Sequence, residues 1–446
     1  MRFVTDYKTE DFILKTKYEN LSDEVKERLK GCLVDLVGAL VSGTLSEQFA
    51  VGVRLATTLF GKGEVAVIGS KERFSFAGAA SAMGHSSNAY DIDDGHNLTR
   101  AHPGTSFIGA LLAAAYERDI TLLELYEAML VAYEVTIRSG AAIMDYYKFA
   151  HSSGTFGAVG VVAGVGRIYG FTREEMNNAL SVAEFNAPLV PGIRSVEYPS
   201  MNKDGVPFGV MIGVLAVLDS MAGFTGNKNL LESDEHRHYT DDLGEAFEVM
   251  NLYFKPYPCC RWAHPAIDAV TGLMREHGIE HTDVLRVVIR TFNRATLLSK
   301  IEPRSADDAQ YNIAYPVATA IVKGDFSIGD IMPEAFLDAT VLDMMKRLEF
   351  VTDDELDALF PARRICRAEI YTKDGRVLVS PNCEPRGEAH ERVSTSWLVE
   401  KFHRITAPVL NKEGRERILG VILGDEGTRV RTLVDLVNKE IFGKNN

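Results

Sequence analysis

Three segments of this chain are apolar almost all the way round: FIGALLAAAY (107–116), FGAVGVVAGVG (156–166) and GVMIGVLAVL (209–218). A helix with no polar face does not belong at a water-exposed surface, so each of these has to be covered by other elements. Their glycines and alanines allow neighbouring backbones to approach closely. The constraint points to a thick multi-helix bundle whose central helices are enclosed by outer ones. None is a membrane span. The longest strongly apolar run, residues 205–218, falls short of the ~20 residues a bilayer requires.

Other helices are marked by their ends. Val25, Leu29, Cys32, Leu33, Leu36 and Leu40 recur at helical spacing, with Ser22 placed to cap and Gly43 to terminate. Thr121 with Glu124, and Thr172 with Glu175, form capping boxes, and Phe171 and Met176 stand at the positions of a hydrophobic staple. The glycines of GVGRIYG (164–170) have the wrong spacing for a nucleotide loop and no preceding strand, so they read as packing residues. After about residue 265 the pattern changes. VLRVVIRTF (284–292) and RICRAEIYTKDGRVLVS (364–380) are strand-like, and Lys373-Asp374-Gly375 is a hairpin signal. The tail from STSWLVEKF onward returns to helix. The expected division is an all-helical domain of residues 1–265 plus 401–446, and a smaller α+β domain of residues 266–400. A chain of 446 residues is long enough for both.

The polar residues concentrate in one place. HSSNAYDIDDGHNLTRAHPG (85–104) sets Asp91, Asp93, Asp94 and His96 within six positions, followed by Arg100 and His102. Acids and imidazoles on a loop between apolar elements suggest proton transfer or metal binding. A metal needs more converging ligands than this spacing supplies, so none is expected. The net charge of −14 argues against nucleic acid or an anionic membrane surface as partner, while a local basic pocket for a small anion remains compatible with it. The N-terminus MRFVTDYKTEDF has no apolar signal core. Five cysteines without a C-x-x-C pair read as reduced, buried thiols, so a cytoplasmic location is expected.

Five segments together resemble the MmgE/PrpD (2-methylcitrate dehydratase) family: AYDIDDGHNLTRAHPG (89–104), AHSSGTFGAVGVVAGVGRIYGF (150–171), NKDGVPFGVMIGVLAVLDSMAGFTG (202–226), FKPYPCCRWAHPAID (254–268) and DAQYNIAYPVATAIVKGDF (308–326). The resemblance implies a mainly α fold, in which a large all-helical bundle domain carries an inserted, smaller α+β lid domain. It also implies a homodimer and no cofactor. Carried over by position, the site would comprise Asp91, His102, His151, Lys203, Lys255 and Tyr315, with Ser153 and His96 also contacting substrate. The chain departs from the pattern at Gly95, where relatives carry Thr, and at Ser153, where Thr is usual. NKDGVPFG lacks the histidine of many dehydratase-like members.

The chemistry implied is carbanion formation next to a carboxylate. This needs a base and several fixed positive or hydrogen-bonding groups. His102 is the expected general base, oriented by Asp91. Lys203 and Lys255 would polarise substrate carboxylates, His151 would contact substrate or return a proton, and Tyr315 would assist a leaving hydroxyl. The leading expectation is a carbon–oxygen lyase that dehydrates a small hydroxy di- or tricarboxylate. The alternatives are a dicarboxylate epimerase, a decarboxylase giving an itaconate-like product, and a non-enzymatic carboxylate-binding protein. His85, His264, Cys259 and Cys260 are secondary, with packing the simpler reading for the cysteines.

Overall fold

The computed structural model describes residues 1–4 and 6–443 and is mainly helical. Helix Asp23–Gly43 begins at Ser22, whose side chain accepts from the Val25 N–H. Both capping boxes form, at the starts of helices Leu122–Tyr147 and Arg173–Asn186. Phe171 and Met176 meet over Gly166, as a staple should. Gly43 is the last residue of its helix but not a left-handed cap. The following Thr44 keeps right-handed backbone, and Gly43 is small because the Ser86 carbonyl lies where a Cβ would be.

The first two apolar segments are buried as expected. Thr105–Tyr116 of helix Thr105–Arg118 and Ser153–Gly166 of helix Ser153–Tyr169 are covered throughout. Glycines set these approaches: Gly157 faces Ser106, and Gly164 faces Leu111. The third segment departs from expectation. Helix Val206–Met221 buries its small-residue face against helix Ser153–Tyr169, yet Phe208, Leu215, Leu218 and Met221 on its other side are 39–59 % exposed. The C-terminal helix Thr395–Thr406 packs back on helix Asp23–Gly43, with Leu398 and Ile405 against Gly31 and Gly38.

The expected strands are present. Val284–Thr291 runs parallel to Leu348–Thr352 and antiparallel to Cys366–Thr372, which pairs with Val377–Val379 across the Lys373–Gly375 turn. Side chains of Cys366–Thr372 alternate between buried and half-buried, because helix His264–His277 covers one face. The apolar interior falls into two main clusters. One joins residues from the N-terminal helices and the C-terminal tail, and the other joins residues around the four-stranded sheet.

The N-terminal part is not purely helical. Two small sheets interrupt it, Lys62–Ala66 with Arg73–Phe74 and Asp94–His96 with Leu252–Phe254, and residues 227–263 run mostly as 3₁₀ turns and loops. These strands are two to five residues long, too short for alternation to register in the sequence. No single helix among the described residues is long and apolar enough to cross a membrane.

Glycine packing between central helices gives a direct stability test. At Gly213 an added Cβ would lie 2.5 Å from Val161 Cβ and 2.7 Å from the Ala158 carbonyl. Gly213→Ala should cost about 1–3 kcal/mol in urea unfolding, as overpacked cores do. Gly272, in helix His264–His277, has open space around its Cβ position, so Gly272→Ala should instead stabilise by about 0.5–1 kcal/mol.

Candidate active site

A short strand pairing builds the site. Asp94–His96 lies antiparallel to Leu252–Phe254 in the register Asp94↔Phe254, Gly95↔Tyr253 and His96↔Leu252. Lys255, the next residue, is thereby delivered to the acidic loop. Its Nζ lies 2.5 Å from Asp91 Oδ1, 3.1 Å from the Asp91 carbonyl and 3.5 Å from His102 Nε2. Gly95 is required here because the Tyr253 ring occupies the space of a side chain at position 95. His102 is fixed from two sides. Its N–H donates to Ser153 Oγ (3.0 Å), and its carbonyl accepts from Ser106 Oγ (2.6 Å), so the starts of two buried helices locate it.

The imidazole is oriented by a carboxylate, but by Asp93 rather than Asp91. Asp93 Oδ2 is 2.9 Å from His102 Nδ1, and Asp93 is itself held by Thr105 Oγ1 (2.9 Å) and Asn88 Nδ2 (3.0 Å). Asp91 stands on the Nε2 side, 3.3 Å away, and Asp204 Oδ2 is 3.8 Å from the same nitrogen. Burial and the Lys255 ammonium push the His102 imidazole down. The Asp93 and Asp91 carboxylates outweigh them and raise it to about 9. His102 is therefore charged at neutral pH, the form in which Nε2 donates a proton. Burial lowers the Lys255 ammonium, but Asp91 and Asp93 more than reverse that and hold it charged. Asp94, buried and beside the Asp93 charge, is pushed up to about 7, and burial also raises Asp204. Asp91, Arg100 and Lys203 adopt left-handed backbone, a local strain concentrated at this site.

His102, Asp91, Lys255 and His151 line one cleft of about 270 Å³. His151 is 3 % exposed and packs against Phe149, with 4.0 Å between ring centroids and the planes tilted by 39°. Neither of its ring nitrogens has a partner among the described residues, and burial lowers its pKa, so it faces the cleft neutral. The remaining residues expected at the site are placed elsewhere. Lys203 Nζ is turned inward to the Asn88 and Ala89 carbonyls and Gln310 Oε1, 3.5 Å from Asp307. It braces the acidic loop from behind. Tyr315 lies in the core against Phe326 and Phe336 and donates to the Asp330 carbonyl at 2.7 Å. Ser153 holds the His102 backbone, and His96 Nε2 faces Glu248 at 3.2 Å, away from the cleft. His85 and His264 bond main-chain carbonyls of Ser81 and Cys259, as packing histidines do.

Several cleft residues carried no clear signal in the sequence. Tyr311, four residues before Tyr315 and outside its helix, donates to Asp204 Oδ2 at 3.0 Å and lines the cleft where Tyr315 was expected. Arg100, Arg261, Arg294 and Arg364 also line the cleft, so it is strongly basic inside an acidic protein. Only Arg100 belonged to the conspicuous motif. Arg261 lies in the FKPYPCCRWAHPAID segment but carried no expected role, and Arg294 and Arg364 stand near strand-like segments with nothing to mark them. Asp91, His102 and Asp204 present possible metal-ligand atoms within 4.8 Å of one another. The Lys255 ammonium already sits against that group and supplies its positive charge, a donor set suited to moving protons.

His102→Ala should lower turnover by roughly 10²–10⁴, the usual worth of a general acid–base group. A proton-donating His102 makes kcat/KM fall as pH rises through about 9. Asp93→Asn removes the charge that raises the imidazole, so this alkaline limb should move to lower pH. A rate that rises through the same range would assign His102 as base instead. The sign for folding is the same. A raised imidazole stabilises fully below its ordinary 6.5, and the contribution fades as pH climbs through about 9.

The MmgE/PrpD N-terminal domain matches residues 8–239, and the MmgE/PrpD C-terminal domain matches residues 257–424. Similar proteins include the cis-aconitate decarboxylase-like protein oryM of Aspergillus oryzae, 22 % identical over 97 % of this chain and 96 % of its own. The cis-aconitate decarboxylase of Aspergillus terreus is 21 % identical over 94 % and 93 % of the two chains. That of Homo sapiens is 21 % identical over 91 % and 88 %. With both domains matched in order around a shared cleft, the chain belongs to the MmgE/PrpD family.

Proposed function

We propose that this protein is a lyase for a small di- or tricarboxylate, and that its reaction is decarboxylation next to a second carboxylate. The observation that carries the reading is the placement of His102, with Nδ1 held by Asp93 and Nε2 set among Asp91, Lys255 and Asp204 at the wall of a basic cleft. Loss of CO₂ breaks a C–C bond and leaves an electron pair that spreads into a neighbouring carboxylate. Lys255 stabilises that charge, and the carbon then takes its proton from His102 Nε2. A departing carboxylate loses its charge, which apolar surroundings favour. Phe149, Ile193, Val196, Trp262 and Phe360 supply such a wall. The decarboxylase names of the relatives support the same choice.

Dehydration is the second reading, favoured by one feature. The Tyr311–Asp204 pair beside His102 offers a second proton-transfer group, which elimination of a hydroxyl needs. No resident cofactor is invoked in either case. Incubation with cis-aconitate, 2-methylcitrate and a chiral dicarboxylate in D₂O distinguishes the outcomes. CO₂ release with deuterium incorporation supports decarboxylation. A 240 nm rise without CO₂ identifies a dehydratase, and exchange without net conversion an epimerase. Silence with every acid, in NMR and absorbance alike, overturns the enzymatic reading.

We also propose a homodimer through the uncovered face of helix Val206–Met221. A stripe of Phe208, Leu215, Leu218 and Met221 is left exposed and apolar, and a second copy packed about a twofold axis would cover it. Light scattering should give twice the mass of one chain, and Leu215→Glu with Leu218→Glu should give the mass of one. We place the residues around the four-stranded sheet, 266–400, as the smaller domain that closes the cleft, in a cytoplasmic enzyme.

A further inference from the structure

The geometry points to a second carboxylate subsite in the cleft, built from Arg364, Arg261 and Arg100 around the Tyr253 ring. It receives the substrate carboxylate remote from His102. This rests on the carboxylate reading above and narrows it to substrates bearing at least two separated carboxylates.

Two guanidinium groups approach the Tyr253 ring, Arg261 at 4.8 Å and Arg364 at 5.7 Å from its centroid. Both arginines are 4 % exposed, and both line the cleft. The Nε of each is buried and has no partner among the described residues. A buried guanidinium donor left unpaired is costly unless something completes it. One further nitrogen of each arginine belongs to a single hydrogen-bonded chain that links the pair. Arg364 Nη1 donates to Asn97 Oδ1 (2.5 Å), and Asn97 Nδ2 donates to Glu388 Oε2 (3.1 Å). Glu388 Oε1 accepts from Arg261 Nη2 (2.9 Å).

The charge count points the same way. Glu388 neutralises Arg261, whereas Arg100, Arg294 and Arg364 have no ion pair among the described residues. Partial burial and the repulsion of Arg364 and Arg294 lower the Arg100 guanidinium. That repulsion is unrelieved by the protein and would be relieved by an anion. Guanidinium forks suit a carboxylate better than point charges do. Gly95 belongs to the same device, since any side chain there would displace the Tyr253 ring that both arginines pack against.

Binding of two probes, propane-1,2,3-tricarboxylate and butanoate, tests the subsite by NMR titration at fixed ionic strength. Butanoate carries one carboxylate, cannot span the cleft, and on this proposal is held at the His102–Lys255 end. Arg364→Gln should weaken the tricarboxylate by about 10–100-fold, the worth of a charged hydrogen-bonded contact, and butanoate by less than about threefold. Arg100→Gln, at an exposed position whose loss does not threaten folding, should shift the same preference. Arg275→Gln removes an equal charge on helix His264–His277, outside the cleft, and should change neither. Equal weakening of both probes by Arg364→Gln, no weakening of either, or failure of the native protein to bind the tricarboxylate would overturn the subsite. Selective loss of the tricarboxylate without turnover of any acid keeps the subsite and removes only the reaction assigned above. Turnover that Arg364→Gln leaves untouched does the reverse.

Discussion

The Asp93–His102 contact is the interaction on which the site depends. Two carboxylates, an imidazole and an ammonium are taken out of water within a few ångströms. Such a cluster survives only if its charges balance and its hydrogen bonds are complete. Asp91 balances Lys255, and Asp93 balances the imidazolium. The two further acids nearby, Asp94 and Asp204, are pushed by burial toward their neutral forms and so avoid adding uncompensated charge. Removing any one partner leaves another stranded, so the protonation states of the group are set together.

Rigid packing makes that arrangement precise. The starts of helices Thr105–Arg118 and Ser153–Tyr169 hold His102, and both helices are buried over most of their length. Their glycines bring the helices so close that small displacements meet backbone or Cβ atoms. Behind the acidic loop, two buried lysines act as braces. Lys203 binds the carbonyls of Asn88 and Ala89, and Lys401, ion-paired with Asp35 at 2.5 Å, donates to Ile92. Lys401 comes from the C-terminal helix Thr395–Thr406, so the return of the tail to the bundle bears directly on the chemistry. Lysine is suited to such bracing because one ammonium satisfies several carbonyls at once.

Much of the fold was legible because it rests on local periodicity. The capped helices, the enclosed glycine-rich segments and the hairpin at Lys373–Gly375 all carry their signal within a dozen residues. The site was legible in part. The run from Asp91 to His102 stood out by composition, and resemblance supplied His151 and Lys255. What stayed hidden depends on direction. Lys203 and Tyr315 are buried as expected of site residues, yet their polar atoms point to Ala89 and Asp330 rather than into the cleft. Asp91 and Asp93 differ by two positions on a loop, and the left-handed turn at Asp91 decides which reaches Nδ1.

The amino-acid order alone determined that this chain is mainly helical with a sheet-bearing region before its helical tail, and that an acidic, histidine-containing loop lies between buried helices. Those properties follow from spacing along the chain, where neighbours in sequence are neighbours in space. Only the tertiary structure decided which carboxylate orients His102, that the imidazole carries a proton, and that arginines from residues 100, 261, 294 and 364 share one cleft. Those properties arise from burial and from charges brought together across long loops, and neither quantity exists until the chain has folded.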